Sequence, residues 1–371
     1  MKSNLLGMGL LVLLVVSAIP VVVAADTSRD AGWHQNQIGA VYTEDNAARN
    51  NVWRFPRFDN GTLGSGVSFS TGGSGTGFAP HSQGAIALTD DGIWLLAVNA
   101  GSNEITVFRV THDGLTMTDK VSSKGTMPIS LTVKGHLVYV LNSGSLNIAG
   151  FTLSPSGQLT SIKGSDLPLN KLASAPEQIG FSIRYDDLIL VVADKGSNQI
   201  DTYTVDQRGV PTGPTTTSSN GNGPYGFAFD NKGTLVDSDA GSHAVSSYGV
   251  SRFGNLSVIS GPVSTGVAGD TPCWVAITGN GMFAYTGNGD TAISSFSIAD
   301  NGLLKLVNEK AATLTSGGSL DLGFSKGSKD LYVLNAAGSI SGFSVNNSNG
   351  NLTWVTTATG VPLSAAGIAV S

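Results

Sequence analysis

A proline recurs just ahead of several short apolar runs, at Met127-Pro128, Ala175-Pro176, Gly223-Pro224 and Thr271-Pro272. The residues behind it change from copy to copy: Glu177-Gln178, Tyr225-Gly226 and Cys273-Trp274, with Leu320-Asp321 at the aligned place further on. Residue types that repeat tend to serve a scaffold, whereas positions that differ between copies are where specificity can be written. Glu177 and Asp321 can act as acid, base or metal ligand, and Tyr225 and Trp274 can wall an apolar cleft. The plainer use of the two carboxylates is to solvate a wet polar channel. Gln178 adds hydrogen-bonding capacity beside Glu177. Of the histidines, only His81 and His243 fall on the face of these connections. Asp194 and His243 complete the set of candidate substrate contacts.

Other patterns are weaker. Asp194 belongs to a series, with Asn99, Asn142, Asp239 and Asn335, of polar residues that close apolar runs. Such a series can hold calcium or magnesium, but a type repeated in most copies more simply satisfies backbone groups of the turn that follows. The five histidines have no metal-ligand spacing, so neither a metal nor any other cofactor is expected. Gly323-Phe-Ser-Lys-Gly327 matches G-x-S-x-G without a helix to form a nucleophile elbow. Gly221-Asn-Gly-Pro-Tyr-Gly226 matches G-x-G-x-x-G but leads into a strand, leaving no helix N-terminus for a pyrophosphate.

The elements that position these residues come from one repeated unit. The stretch 91–110, DGIWLLAVNAGSNEITVFRV, reads as a hairpin: an Asp-Gly turn, an apolar strand, a reversal and an alternating strand. Variants lie at 38–55, 134–153, 186–205, 232–250, 280–298 and 328–345. An aromatic residue in each alternating strand (Phe55, Phe108, Phe151, Tyr203, Tyr248, Phe296, Phe343) sets spacings of 53, 43, 52, 45, 48 and 47 residues, enough for four strands per unit. The sequence therefore predicts an all-β, seven-bladed β-propeller of four-stranded antiparallel blades with almost no helix. The first copy lacks an inner strand, and Ala365–Ser371 resembles the inner strand Gln83–Thr89, so the C-terminus is expected to close the ring. Turns between first and second, and between third and fourth, strands then share one face; the site candidates fall on the other.

Residues 1–25 read as a signal peptide, with Lys2 ahead of an apolar core and small residues at 22–25; a membrane anchor is the other use of such a run. Residues 26–37 form a polar lead-in and 38–371 the propeller. Four Asn-x-Ser/Thr triplets, at Asn60, Asn255, Asn346 and Asn351, are candidate glycosylation sites, all in turns between third and fourth strands. A secreted monomer is expected, extracellular or held at a cell wall, with no membrane association after signal removal. The net charge of −6 and the lack of a basic stripe exclude a nucleic-acid partner, and the single Cys273 excludes an internal disulfide and reads as a small buried residue.

Residues 38–371 resemble the seven-bladed propeller lactonase family, which includes bacterial 6-phosphogluconolactonases and fungal 3-carboxymuconate lactonising enzymes. The resemblance lies in strand pairs such as Trp94–Asn103 with Ile105–Val110, in the Asn-Gly turns at Asn60–Leu63 and Asn301–Leu303, and in the closing strand. It implies a small-molecule lactone substrate. The family's Gly-Pro-Arg-His motif falls on Ala175-Pro176-Glu177-Gln178, which keeps the proline and replaces Arg and His; His81-Ser82-Gln83 partly matches a second family segment. An anionic substrate needs a cationic clamp, and this mouth reads as acidic or neutral. Two functions follow: hydrolysis or isomerisation of a small neutral lactone by Glu177 or His81, or non-catalytic binding of an extracellular protein or glycan.

Overall fold

A computed structural model of the protein describes residues 36–184, 187–315 and 317–371. Residues 1–35, on which the expected signal peptide and most of the polar lead-in fall, lie outside the described residues.

Seven antiparallel sheets follow the repeat. Blades two to seven each run from inner to outer strand in chain order, and the first is completed by Ala366–Val370 pairing with Gln37–Glu44. The inner strands neighbour one another all the way round: Ile86–Leu88, Pro128–Lys134, Pro176–Arg184, Pro224–Phe229, Pro272–Ile277, Ser319–Phe324 and Ala366–Val370. Second strands such as Trp94–Asn99 and Leu137–Asn142 are buried throughout, because each sheet is packed on both faces by its neighbours. Two short 3-10 turns are the only helical elements among the described residues.

Blade three departs from the plain four-strand pattern. Its outer strand is broken into Leu159–Ser161 and Leu167–Pro168, both paired with Asn147–Leu153. At the break the Ser165 hydroxyl takes a hydrogen bond from the Gly150 N–H and donates within reach of the Gly150 carbonyl, standing in for the missing ladder.

One kind of bond recurs between blades. A hydroxyl from one blade donates to the carbonyl of the turn glycine in the next: Thr118 to Gly157, Tyr139 to Gly209, Thr202 to Gly254, Ser247 to Gly302, Tyr285 to Gly350 and Tyr332 to Gly61. The last of these joins blade seven to blade one. Closure is reinforced by the Arg57 guanidinium, which donates to the Ser371 carbonyl at 2.9 and 2.8 Å. Gly39 is required beneath it, since a Cβ there would lie 2.2 Å from the same oxygen.

The four sequon asparagines are exposed in turns between third and fourth strands. Connections between blades meet the second-to-third strand turns on the opposite face, as in Ser143 N–H to Met127 carbonyl and Gly289 N–H to Thr271 carbonyl. No helix among the described residues is long and apolar enough to cross a membrane.

Candidate functional site at the channel mouth

Each recurring proline is the first residue of an inner strand, where its missing N–H costs no ladder bond. The pairing register slips immediately after it, between Pro128 and Ser130, Pro176 and Gln178, Pro224 and Phe227, and Pro272 and Trp274; blade seven slips in the same way between Ser319 and Asp321. The residues left out of register are Ile129, Glu177, Tyr225 with Gly226, Cys273 and Leu320. A bulge re-aims the side chain it frees. Four of these residues, Glu177, Tyr225, Cys273 and Leu320, line one cavity of about 560 Å³ together with His81 and Trp274.

Asp194 sets the position of Glu177 from beneath. Its carboxylate accepts from the backbone N–H of Ser174 (3.1 Å) and Ala175 (3.0 Å), and from its own turn through Gly196 N–H (3.0 Å) and Ser197 Oγ (2.8 Å). Asn99, Asn142 and Asp239 make comparable bonds to Thr71, Ser123 and Ser219 at the start of their connections. This series fastens each loop to the following turn.

Burial raises the Glu177 carboxyl from 4.5 to about 8, with Asp194 pushing the same way, while the Lys195 charge and the Tyr225 hydroxyl pull it down. Tyr225 is buried, donates its hydroxyl to the His81 carbonyl, and stacks edge-on to Trp274 with centroids 5.8 Å apart. The Lys195 ammonium stands 5.2 Å from the Tyr225 ring centre. Burial pushes the Cys273 thiol up to about 12, which leaves it a protonated, weak nucleophile near neutrality. Trp274 is 2% exposed, and its indole N–H has no hydrogen-bond partner.

The remaining sequence candidates lie elsewhere. Gln178 clamps the next inner strand through Phe227, accepting from its N–H at 2.6 Å and donating to its carbonyl at 3.0 Å. Gln83 reaches from blade two to blade six and does the same to Val275, at 3.1 and 2.8 Å, so it bridges the channel one residue in from Trp274. Gly226 makes room for that amide: a Cβ would sit 2.3 Å from Gln83 Oε1. Asp321 is buried and accepts from Leu322 N–H (2.7 Å) and Ile368 N–H (3.1 Å), tying blade seven to the closing strand; burial raises it to about 7. The His243 ring bonds the Asp270 carbonyl outside the cavity lining. Thus the cavity gathers His81, Glu177, Tyr225 and Trp274, while Gln83, Gln178, Asp194 and Asp321 hold the frame around it.

Lys195 was not among the sequence candidates, and it corrects the expectation of an acidic or neutral mouth. It follows Asp194 in a plain Asp-Lys-Gly-Ser turn, and the available signal was that such turns share the site's face. Among the described residues no group of three His, Cys, Asp or Glu side chains could hold a metal ion. A second cavity of about 600 Å³ opens on the opposite face near Arg54, Asp91 and Lys326. It has none of the inner-strand bulge residues, and hydrogen bonding to Thr89 lowers its Asp91 carboxyl rather than raising it.

Comparison with known proteins agrees with this architecture. Residues 33–171 match the model of the family described as lactonase, 7-bladed beta-propeller. No curated protein matches the sequence. Among solved structures, a Lactobacillus plantarum protein is similar over 91% of this chain and 100% of its own, at 17% identity and TM-score 0.75. A putative 6-phosphogluconolactonase from Bacteroides fragilis is similar over 90% and 98%, at 17% identity and TM-score 0.71. A Pseudomonas aeruginosa periplasmic gluconolactonase is similar over 90% and 98%, at 15% identity and TM-score 0.71. The TM-scores, over nearly the whole of each chain, show a shared fold.

Proposed function

We propose that this chain is an exported, lactonase-like hydrolase that opens a small lactone at the channel mouth, with Glu177 as the proton-transfer group. The observation that carries the reading is a carboxyl lifted to about 8 inside a cavity that also holds a cation, Lys195, and is walled by the Tyr225–Trp274 pair. In the ionised state Glu177 takes a proton from water as the water oxygen bonds to the lactone carbonyl carbon. The Lys195 ammonium supports the negative charge that develops on the carbonyl oxygen. The ring C–O bond then breaks, the leaving alkoxide takes the proton from Glu177, and a hydroxy acid is released.

The cation set also limits the substrate. Among the described cavity residues Lys195 is the one permanent cation, and no arginine is present. Phosphate recognition favours a bidentate guanidinium, so a neutral lactone fits better than a phosphorylated one. Export is supported by the N-terminal pattern and by four exposed sequons on the face away from the cavity.

The test is a panel of neutral and phosphorylated lactones assayed with wild type and Glu177→Gln. Hydrolysis of neutral lactones that falls by about 10²–10⁴-fold in the variant, at unchanged circular dichroism, supports the proposal. A panel with no turnover removes the catalytic role and returns the chain to a binding propeller.

A further inference from the structure

The cavity at Glu177 does not end at its polar groups. A second hollow of about 440 Å³ adjoins it and shares Pro80, His81, Leu320 and Ala336 with it. Its remaining wall is supplied chiefly by Phe78, Ala79 and Leu363, with Ser364 at the edge. Phe78 is 57% exposed and Leu363 72% exposed. They come from two different connections, one entering blade two and the other entering the closing strand, yet they converge on one hollow. Beneath it the buried residues Leu320, Val361 and Ala365 belong to the same apolar cluster as Tyr225 and Trp274. A single exposed leucine is ordinary, but two large side chains over an apolar floor, continuous with a pocket that holds a raised carboxyl, form a ledge with a direction. It leads away from Glu177 and Lys195, and its lining offers few polar contacts.

We infer that this ledge takes an apolar substituent of the substrate, so that the preferred substrate class is a lactone carrying an alkyl or similar hydrocarbon chain. The inference rests on the proposed function for the identity of the ring. The geometry behind it is continuity: a ring held beside Glu177 and Lys195 has apolar surface adjoining it, past Pro80 and Leu320 to Phe78 and Leu363. A sugar lactone would carry its hydroxyl groups onto that surface and leave them without partners.

The experiment uses two series with chains lengthened from none to hexyl. One is γ-butyrolactone and its γ-alkyl homologues, followed by hydrolysis; the other is the matching γ-lactams, followed by quenching of tryptophan fluorescence. Each added methylene should tighten lactam binding and raise kcat/KM by about fourfold over the first few carbons, the factor for transferring a methylene out of water. The double variant Phe78→Ser/Leu363→Ser should flatten both slopes. Trp354→Ser should keep them, because Trp354, 59% exposed, lies on the outer strand of blade seven. Lactam binding that follows this pattern without any lactone turnover supports the ledge and overturns the hydrolase. Turnover with no dependence on chain length, a slope that survives in the double variant, or no lactam binding overturns the ledge.

Discussion

Replacing Glu177 by Gln separates two consequences of one physical cause. Burial lifts this carboxyl from 4.5 to about 8, and unfolding returns it to the lower value. Between those values the folded protein keeps a proton that the unfolded chain has released, so raising the pH draws the equilibrium toward unfolding. The penalty is absent below about pH 4.5 and complete above about pH 8. At about 1.4 kcal/mol per unit its ceiling is close to 5 kcal/mol. The side chain keeps some contact with solvent, which reduces the working figure to about 2–3 kcal/mol. Gln is neutral at every pH and matches the protonated acid in shape. Wild type and Glu177→Gln should therefore be equally stable near pH 4.5 and diverge through neutrality, with the variant ahead by about 2–3 kcal/mol at pH 9. Urea unfolding at four pH values measures the difference, in which contributions from the other raised acids, such as Asp321, cancel. Over the same range wild-type kcat/KM, corrected for spontaneous alkaline opening, should rise to a plateau above about pH 8. Stability curves that stay parallel from pH 5 to 9 would refute the claim that burial holds Glu177 neutral, and the assigned proton transfer would lose its basis.

Other changes test the frame. Asp321→Ala leaves the Leu322 and Ile368 N–H groups without their acceptor and should cost about 2–4 kcal/mol in denaturant unfolding, with limited proteolysis first cutting near the closing strand. Lys195→Met removes the cation facing Glu177 and Tyr225; turnover should fall about ten- to a hundredfold, and the pH limb should move upward because the Lys195 charge lowers the Glu177 value. Tyr225→Phe should move the limb the same way by less and cost about 1 kcal/mol of stability, the worth of its bond to the His81 carbonyl. Glycopeptide mapping of protein from a eukaryotic secretory host should find sugars at Asn60, Asn255, Asn346 or Asn351; four bare sites would count against export through a glycosylating route.

Much of the frame is legible in the chain because its physics is local and repeated. A hairpin of apolar and alternating strands announces itself seven times, and a ring must close, so the missing first strand and the similar tail at Ala366–Val370 imply each other. The proline that opens four of the seven inner strands is equally readable, since it marks where a ladder can begin. The broken outer strand of blade three was not readable: Leu159 and Leu167 look continuous until the Ser165 hydroxyl is seen taking over the Gly150 backbone.

The candidate site divides along the same line. Variability between copies pointed to Glu177, Tyr225 and Trp274, and the family resemblance to His81; these four line one cavity. The same two signals pointed to Gln178, Asp321 and Gln83, whose hydrogen bonds reach backbone atoms of other strands, as between Gln83 and Val275. Lys195 was passed over as an ordinary turn residue. Sequence by itself determined how many sheets there are, where each begins and how the circle shuts, because those follow from short-range pattern. Which side chains share a cavity, and which carboxyl stays protonated, was decided only when strands far apart in the chain met around the axis, since burial and charge neighbours belong to the assembled ring.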